Sequence, residues 1–451
     1  MIGAQHISLA HHVRLSEKTN SMDQFVIRGG RPLIGTVVPS GNKNAALPLL
    51  AATLLTDQPV VLHNVPRIRD VDTMMQLLVE LGVEITEIDR HSFQLQAKNV
   101  RTTQLDPDLC REIRASILLA GPMLARLKQV ELPPPGGDVI GRRRVDTHFL
   151  AFSKLGAQVQ VNGEFSVRAT ELVGQDILLD EASVTGTENA IMAAVLAKGT
   201  TIFRNAASEP HVQELCELLN MMGARIEGIG SNTLTLHGVE SLHGAEFTIG
   251  PDYLEIGSFI GLAAITGGAI TIRNAAPQHL GMIRLVFERL GVKFEAQGED
   301  VLVHHGQSLT VVPDMGGAIP KIDDAPWPAF PADMMSTAIV VATQAVGSVL
   351  IHEKMFESRL YFVDKLIGMG ARIVLCDPHR CIVQGPSWLH GERLESPDIR
   401  AGMALVSAAL CAQGPSVIRN IGQIDRGYEH IEKKLQALGA DIVRENNSGK
   451  T

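Results

Sequence analysis

LLNMMGARI (218–226) carries an apolar helical run into a Gly-hydrophobe pair, Gly223-Ala224, and a short alternating strand follows. A glycine there supplies the left-handed conformation that closes a helix. The same arrangement recurs in LLVELGVEI (77–85), FSKLGAQVQV (152–161), FERLGVKF (287–294), LIGMGARIV (366–374) and LQALGADIV (435–443). The six glycines, at 82, 156, 223, 291, 370 and 439, are 74, 67, 68, 79 and 69 residues apart. One such glycine is weak, because a third to a half of helices end this way. Six at near-equal spacing predict a duplicated unit of about seventy residues filling nearly the whole chain.

Working outward, an Ala-rich apolar helix and a β-branched strand precede these segments. Examples are NAALPLLAATLL before PVVLHNV, ENAIMAAVLAKG before TTIFRNA, IGSFIGLAAITGG before AITIRNA, and AGMALVSAALCAQG before PSVIRNI. Each unit therefore reads as helix, strand, helix, strand, with further strands between, a βαβαββ-like pattern. The first helix is apolar nearly all round and suits burial; the second is amphipathic and suits a surface. The fold class is α/β.

At 451 residues the chain exceeds a single ordinary core, so two or three domains are expected. Hydrophobic residues make up 45% and aromatics only 4%, and no apolar run reaches membrane-spanning length. Residues 1–21 lack a signal-peptide core and read as a disordered extension ahead of a second start at Met22. Five scattered cysteines, mostly in apolar segments, fit buried thiols in a reducing compartment, so a cytoplasmic protein without a metal site is expected. A net charge of −9 argues against a general affinity for nucleic acid. Anion chemistry must then rest on local clusters of Lys and Arg.

Three clusters qualify. In SGNKNAA (40–46) small residues follow a strand and Lys43 opens a helix, so backbone N–H groups and the helix dipole face an anion. In PPPGGDVIGRRRVDTH (133–148) glycines flank Asp138 and arginines follow at 142, 143 and 144. A mobile acid beside guanidinium groups is what a lid needs to bring a proton to a bound anion. The third cluster is dispersed over WPAFPADM (327–334), MFESRL (355–360), PDIRAG (397–402) and DRGYEHIEKKL (425–435), each with a carboxylate or Arg at a loop-to-helix junction. Singly, such junctions are usually helix caps.

In combination with NVPRIRDVDT (64–73), and with RASI followed by LAGP (114–122), these motifs resemble the enolpyruvyl transferases from about residue 22 to 444. Within them the chain is most similar to those that act on UDP-N-acetylglucosamine at the opening of peptidoglycan synthesis. The shikimate-pathway branch reads SKS where this chain has NKN. The resemblance implies a two-domain inside-out α/β barrel with three repeats per domain and the active site in the cleft between them. One domain would cover 43–250, including the catalytic loop; the other would join 22–42 to 251–451. It further implies an addition–elimination reaction of phosphoenolpyruvate with UDP-N-acetylglucosamine, using no cofactor. On this likeness Lys43, Arg114, Arg143, Arg400 and Arg426 match anion ligands, and Asp333 matches the base for the sugar hydroxyl. Asp398 matches a carboxylate near the reacting carbon. Asn44, Asp146, His148, Ser183, Val184, Met355 and Arg359 match further substrate contacts.

Departures from the family pattern are informative. Asp138 stands where most relatives carry the cysteine alkylated by fosfomycin, so an active, fosfomycin-insensitive enzyme is expected. Thr185 occupies a usual glycine, Glu181 and Tyr253 stand where basic residues are frequent near the diphosphate, and Arg144 replaces a proline near the uracil. These leave room for a different acceptor, or for a nucleotide-sugar-binding paralogue without turnover. The RNA 3′-phosphate cyclases share the unit topology, but their chemistry needs a nucleotidyl-accepting histidine and a basic RNA face.

Overall fold

The computed structural model describes residues 23–138, 140–141 and 143–446. The expectation for the N-terminal extension, and Arg142 of the arginine run, lie outside these residues. The chain forms two compact units. The first comprises Gly41–Gly137 and Arg144–Gly250; the second comprises 23–40, Asp138–Arg143 and 251–446. The short piece Asp138–Arg143 is a departure from the expected division, which put the whole loop in the first domain.

The repeat is plainest at 176–237. Strand Asp176–Leu178 leads through helix Val184–Ala194 to strand Thr200–Arg204, then through helix Pro210–Met221 to strands Arg225–Glu227 and Thr233–His237. The first two strands pair in parallel, and the last inserts antiparallel beside Thr200–Arg204, with Phe203 opposite Leu234. Among the described residues there are five four-stranded sheets and one of three, matching the six repeats. In the three-stranded sheet the missing edge is reduced to a bridge between Gln104 and Glu131.

The division into units has a topological cause. Strand Ile34–Val37 pairs in parallel with Ala269–Ile272 in the second unit, yet the helix that follows it, Lys43–Ala52, lies in the first. Strand Glu246–Thr248 closes on Val60–His63 in the first unit, and its following helix, Tyr253–Ile265, lies in the second. The chain thus exchanges first strands between two repeats.

Each unit has its own core, built around the Ala-rich helices. In Tyr253–Ile265 every residue from 253 to 264 is buried, as expected for a helix with no polar face. Small side chains let such helices approach closely: a Cβ on Gly261 would meet Val341 and Thr337 at 3.0 and 3.1 Å. Each fully buried Leu, Ile or Phe contributes about 1.5–3 kcal/mol. The amphipathic second helices close on the anticipated glycines, all six left-handed, with φ from 83° to 103°.

A second periodic signal lies in the HNV, RNA and RNI segments. Asn64, Asn205 and Asn420 adopt positive φ directly after a strand, and Asn274 one residue further on. Asn tolerates this region because its short amide can bond locally. Asn64, Asn205 and Asn420 donate Nδ2 to the carbonyls of Ile249, Leu179 and Ser396 at 2.9–3.0 Å. Each of these carbonyls lies just beyond the first strand of its sheet, so the amide ties the paired strand ends together. Among the described residues no helix is long and apolar enough to cross a membrane. The five cysteines are free, with Cys110, Cys216 and Cys381 buried and Cys376 exposed.

Candidate active site

In the second unit, helix starts and short turns bring charged side chains together. Asp333 lies in the turn ahead of helix Met335–Gln344, Arg359 opens the turn Arg359–Phe362, and Arg400 sits in the first turn of helix Ile399–Cys411. Asp333 accepts from both arginines: Oδ1 from Arg359 Nη2 at 2.8 Å, Oδ2 from Arg400 Nε at 3.1 Å. The Arg400 guanidinium stacks on Tyr428 at 5.4 Å, and that of Arg359 on Phe356 at 5.0 Å. Asp398 caps the helix carrying Arg400, accepting from the amides of Arg400 and Ala401 at 2.8 and 2.9 Å. Burial pushes its carboxyl up from the usual range, opposed by the Ala401 amide and by Arg359.

Asp138 does not end in solvent here; it accepts from Arg426 Nη1, which also donates to Gln423 Oε1 at 3.0 Å. Arg143 is drawn down from the usual guanidinium range by desolvation, with Asp138 and Asp333 opposing and Arg359 and Arg426 reinforcing the shift. The loop's approach is close. Ile140 O accepts from the Ser358 amide at 3.2 Å, and at Gly141, where φ is 125°, a Cβ would lie 2.2 Å from a Glu357 carboxylate oxygen. Four guanidinium groups (143, 359, 400 and 426) therefore meet three aspartates (138, 333 and 398). The excess of positive charge suits an anion, and bound phosphate or carboxylate would compete with the aspartates for the same donors.

The first unit holds its polar residues differently. Asn42 caps helix Lys43–Ala52, accepting from the amides of Asn44 and Ala45. Lys43 Nζ lies 2.6 Å from Asp70 Oδ2, both side chains under 10% exposed. Ser183 caps helix Val184–Ala194 through Gly186 N at 3.2 Å. Arg114 Nη2 donates to Arg144 O at 2.9 Å, and Arg144 bridges Asp146 and Asp180 at 2.9 and 3.3 Å.

His148 is buried between two partners, Asn189 Nδ2 at 2.8 Å from Nδ1 and Thr185 Oγ1 at 3.3 Å from Nε2. The amide nitrogen of Asn189 is a donor, so Nδ1 accepts and the ring proton resides on Nε2. Burial, with Arg114 adding to it, pulls this histidine down to about 3, so it stays neutral. Asn189 also donates to Ile117 O and accepts from Gly121 N, both at 2.7 Å, which fixes the ring against the 114–127 segment.

Of the residues anticipated from sequence, Asp138, Arg143, Asp333, Arg359, Asp398, Arg400 and Arg426 fall together in the second unit. Lys43, Asn44, Arg114, Asp146, His148, Ser183 and Val184 belong to the first. Met355 is 40% exposed and is held through its amide on Asp324 at 3.3 Å. Tyr253 is buried in the second unit's core against Trp327, with ring centroids 5.8 Å apart. Glu181 is exposed. Sequence reasoning missed Asp70, Asn189 and Glu353. Asp70 sits inside the quoted NVPRIRDVDT motif, and Asn189 one residue into the Ala-rich helix segment, but their partners are distant in the chain.

The family model described as EPSP synthase (3-phosphoshikimate 1-carboxyvinyltransferase) matches residues 27–435. A Treponema denticola protein named UDP-N-acetylglucosamine 1-carboxyvinyltransferase is 58% identical over 421 residues, covering 93% of this chain and 99% of that protein. Its Bradyrhizobium diazoefficiens namesake is 56% identical over 421 residues, covering 93% and 98%. Among solved structures, the enolpyruvyl transferase NikO from Streptomyces tendae superposes with a TM-score of 0.83 at 24% identity, covering 94% of this chain and 99% of its own.

Proposed function

The chain belongs to the EPSP synthase family of carboxyvinyltransferases, and from that membership we propose that it transfers the enolpyruvyl group of phosphoenolpyruvate to the 3-hydroxyl of UDP-N-acetylglucosamine, releasing phosphate. The observation that carries this reading is Asp333 gripped on both oxygens by Arg359 and Arg400. An anionic substrate that takes over these guanidinium groups frees Asp333 to accept a proton from the attacking hydroxyl. The same exchange at Arg426 releases Asp138, which carries the proton to C3 of phosphoenolpyruvate. C2 then bears oxygen from sugar and phosphate as a tetrahedral ketal. Loss of phosphate, stabilised by Arg143, Arg400 and Arg426, together with return of a C3 proton to the Asp138 carboxylate, restores the double bond. Asp398, buried at the start of its helix, faces the positive charge that develops at C2. Lys43 and Arg114 are the first unit's cations for the same substrates, and Asn44, Asp146, His148, Ser183 and Val184 belong to the nucleotide sugar. This places the protein at the first committed step of cell-wall peptidoglycan synthesis.

Aspartate in place of the loop thiol removes the nucleophile that an epoxide antibiotic alkylates, so fosfomycin should not inactivate the protein. The deciding experiment is phosphate release from phosphoenolpyruvate with UDP-N-acetylglucosamine, with and without fosfomycin, for the wild type, Asp138→Ala and Asp138→Cys. Release requiring both substrates, unaffected by the drug, collapsing in the alanine variant and becoming drug-sensitive in the cysteine variant is expected. A wild type that turns over phosphoenolpyruvate only with another hydroxyl acceptor would overturn the acceptor assignment.

A further inference from the structure

Glu353 has no solvent exposure, yet the reaction as written does not use it. Its Oε1 accepts from the Phe356 amide at 3.2 Å, while Oε2 has no hydrogen-bond partner as a carboxylate oxygen. The Nε of Arg359 is also buried without a partner, and the two orphan atoms face each other across 3.9 Å. An ionised glutamate in a dry site would close that gap, because a buried charge without a partner costs several kcal/mol. The gap stays open, and Arg359 directs Nη2 to Asp333 instead.

The neighbouring Asp324 explains why. This wholly buried carboxylate accepts from the amides of Lys354 and Met355, at 2.5 and 3.3 Å, and its proximity raises the Glu353 carboxyl. Two buried carboxyl groups side by side disfavour a second negative charge. The other titratable groups nearby are Lys354, bound to Asp323 at 2.8 Å, and His379, whose Nδ1 donates to the Glu353 main-chain carbonyl at 2.8 Å. Neither reaches the Glu353 carboxyl by a hydrogen bond. Burial, reinforced by Asp324 and opposed by Arg359, pushes Glu353 up to about 9.

We propose that Glu353 is a positioning residue: uncharged beside Asp324 and holding the Phe356 amide, it shapes the 354–358 turn and leaves the charge of Arg359 to Asp333. Loss of its proton would draw Arg359 across the 3.9 Å gap and away from Asp333. The positioning role rests on the function proposed above; the proton on Glu353 does not.

Glu353→Gln and Glu353→Leu separate the possibilities. The amide is uncharged beside Asp324 and keeps an acceptor for Phe356 without a titratable proton. It should hold kcat near the wild-type value at neutral pH and remove the alkaline fall in kcat expected of the wild type near its raised value. Glu353→Leu should lose about 10²-fold in kcat, the order of effect of a small misplacement near the reacting groups. Melting supplies a readout independent of turnover. A folded-state carboxyl held above its unfolded value makes the wild type lose stability as pH rises from about 4.5 towards 9, whereas the amide does not titrate. The Tm advantage of Glu353→Gln should therefore grow between pH 5 and pH 8.5. A flat Tm difference, or a glutamine variant as slow as the leucine one, would overturn the proposal. An inactive wild type with a growing Tm difference would sink the functional reading and the positioning role, while leaving Glu353 as the uncharged group.

Discussion

The two units hold their polar residues by opposite means. In the second, guanidinium and carboxylate groups already satisfy one another, Asp333 with Arg359 and Arg400, and Asp138 with Arg426. In the first, one buried pair, Lys43 with Asp70, stands beside helix caps, a neutral histidine and the exposed Arg144 bridge. Prepaired charges suit groups that must exchange partners during a reaction, because the ligand replaces an existing interaction instead of filling a void. Caps and neutral hydrogen bonds suit a ligand that is held unchanged. Thr185, Glu181 and Arg144, which the sequence reading set apart from the pattern of the family it resembles, lie in the first unit. In the second, Asp138 is paired with Arg426 and Tyr253 is core.

The comparison breaks most decisively at Asp333. Asp333→Asn should lower kcat by about 10²–10⁴-fold in phosphate-release assays, the usual range for removing a general base. A loss of a few-fold would mean that the prepaired cluster is structural. Next in size is Asp70→Ala, which strands a buried ammonium and should cost about 3–5 kcal/mol in urea unfolding. A change below about 1 kcal/mol would place that pair among exposed ones.

His148 sharpens the contrast through pH. Its folded-state value, about 3, lies below the ordinary 6.5, so the unfolded chain binds a proton that the folded chain refuses. Stability should fall as pH drops from about 6.5 to about 3, by up to about 1.4 kcal/mol per unit. His148→Gln should flatten that limb in pH-dependent urea titrations; an unchanged slope would show that the ring titrates freely. The smallest effect is expected from Thr185→Gly, which removes the partner of His148 Nε2 and should cost about 0.5–1.5 kcal/mol with kcat unchanged. A change in acceptor preference there would restore the case for a different sugar.

Much of the architecture is legible in the chain because it is written six times. The glycine caps and Ala-rich helices are local signals that repetition amplifies. The exchange of first strands is not local: nothing in Ile34–Val37 distinguishes a partner at 269–272 from one at 60–63, and resemblance rather than periodicity supplied that boundary. The site divides in the same way. Asp138, Asp333 and the arginines stand in dense motifs, but Glu353 reads as one more acid in a surface-like IHEKMFE run. Only its burial beside Asp324 gives it a role. Asn189 likewise reads as a helix interior until the amide is seen to bridge Ile117, Gly121 and His148.

Strand Gln24–Arg28 pairs on one side with Pro415–Arg419 and on the other with Asp441–Glu445. On a ribosome, where domains generally form in the order in which they emerge, this strand is made long before either of its partners. All of the first unit's residues, Gly41 to Gly250, are synthesised while it waits. With Phe25 and Ile27 destined for full burial, the nascent chain carries an unpaired apolar edge until the strands at 415–419 and 441–445 are made.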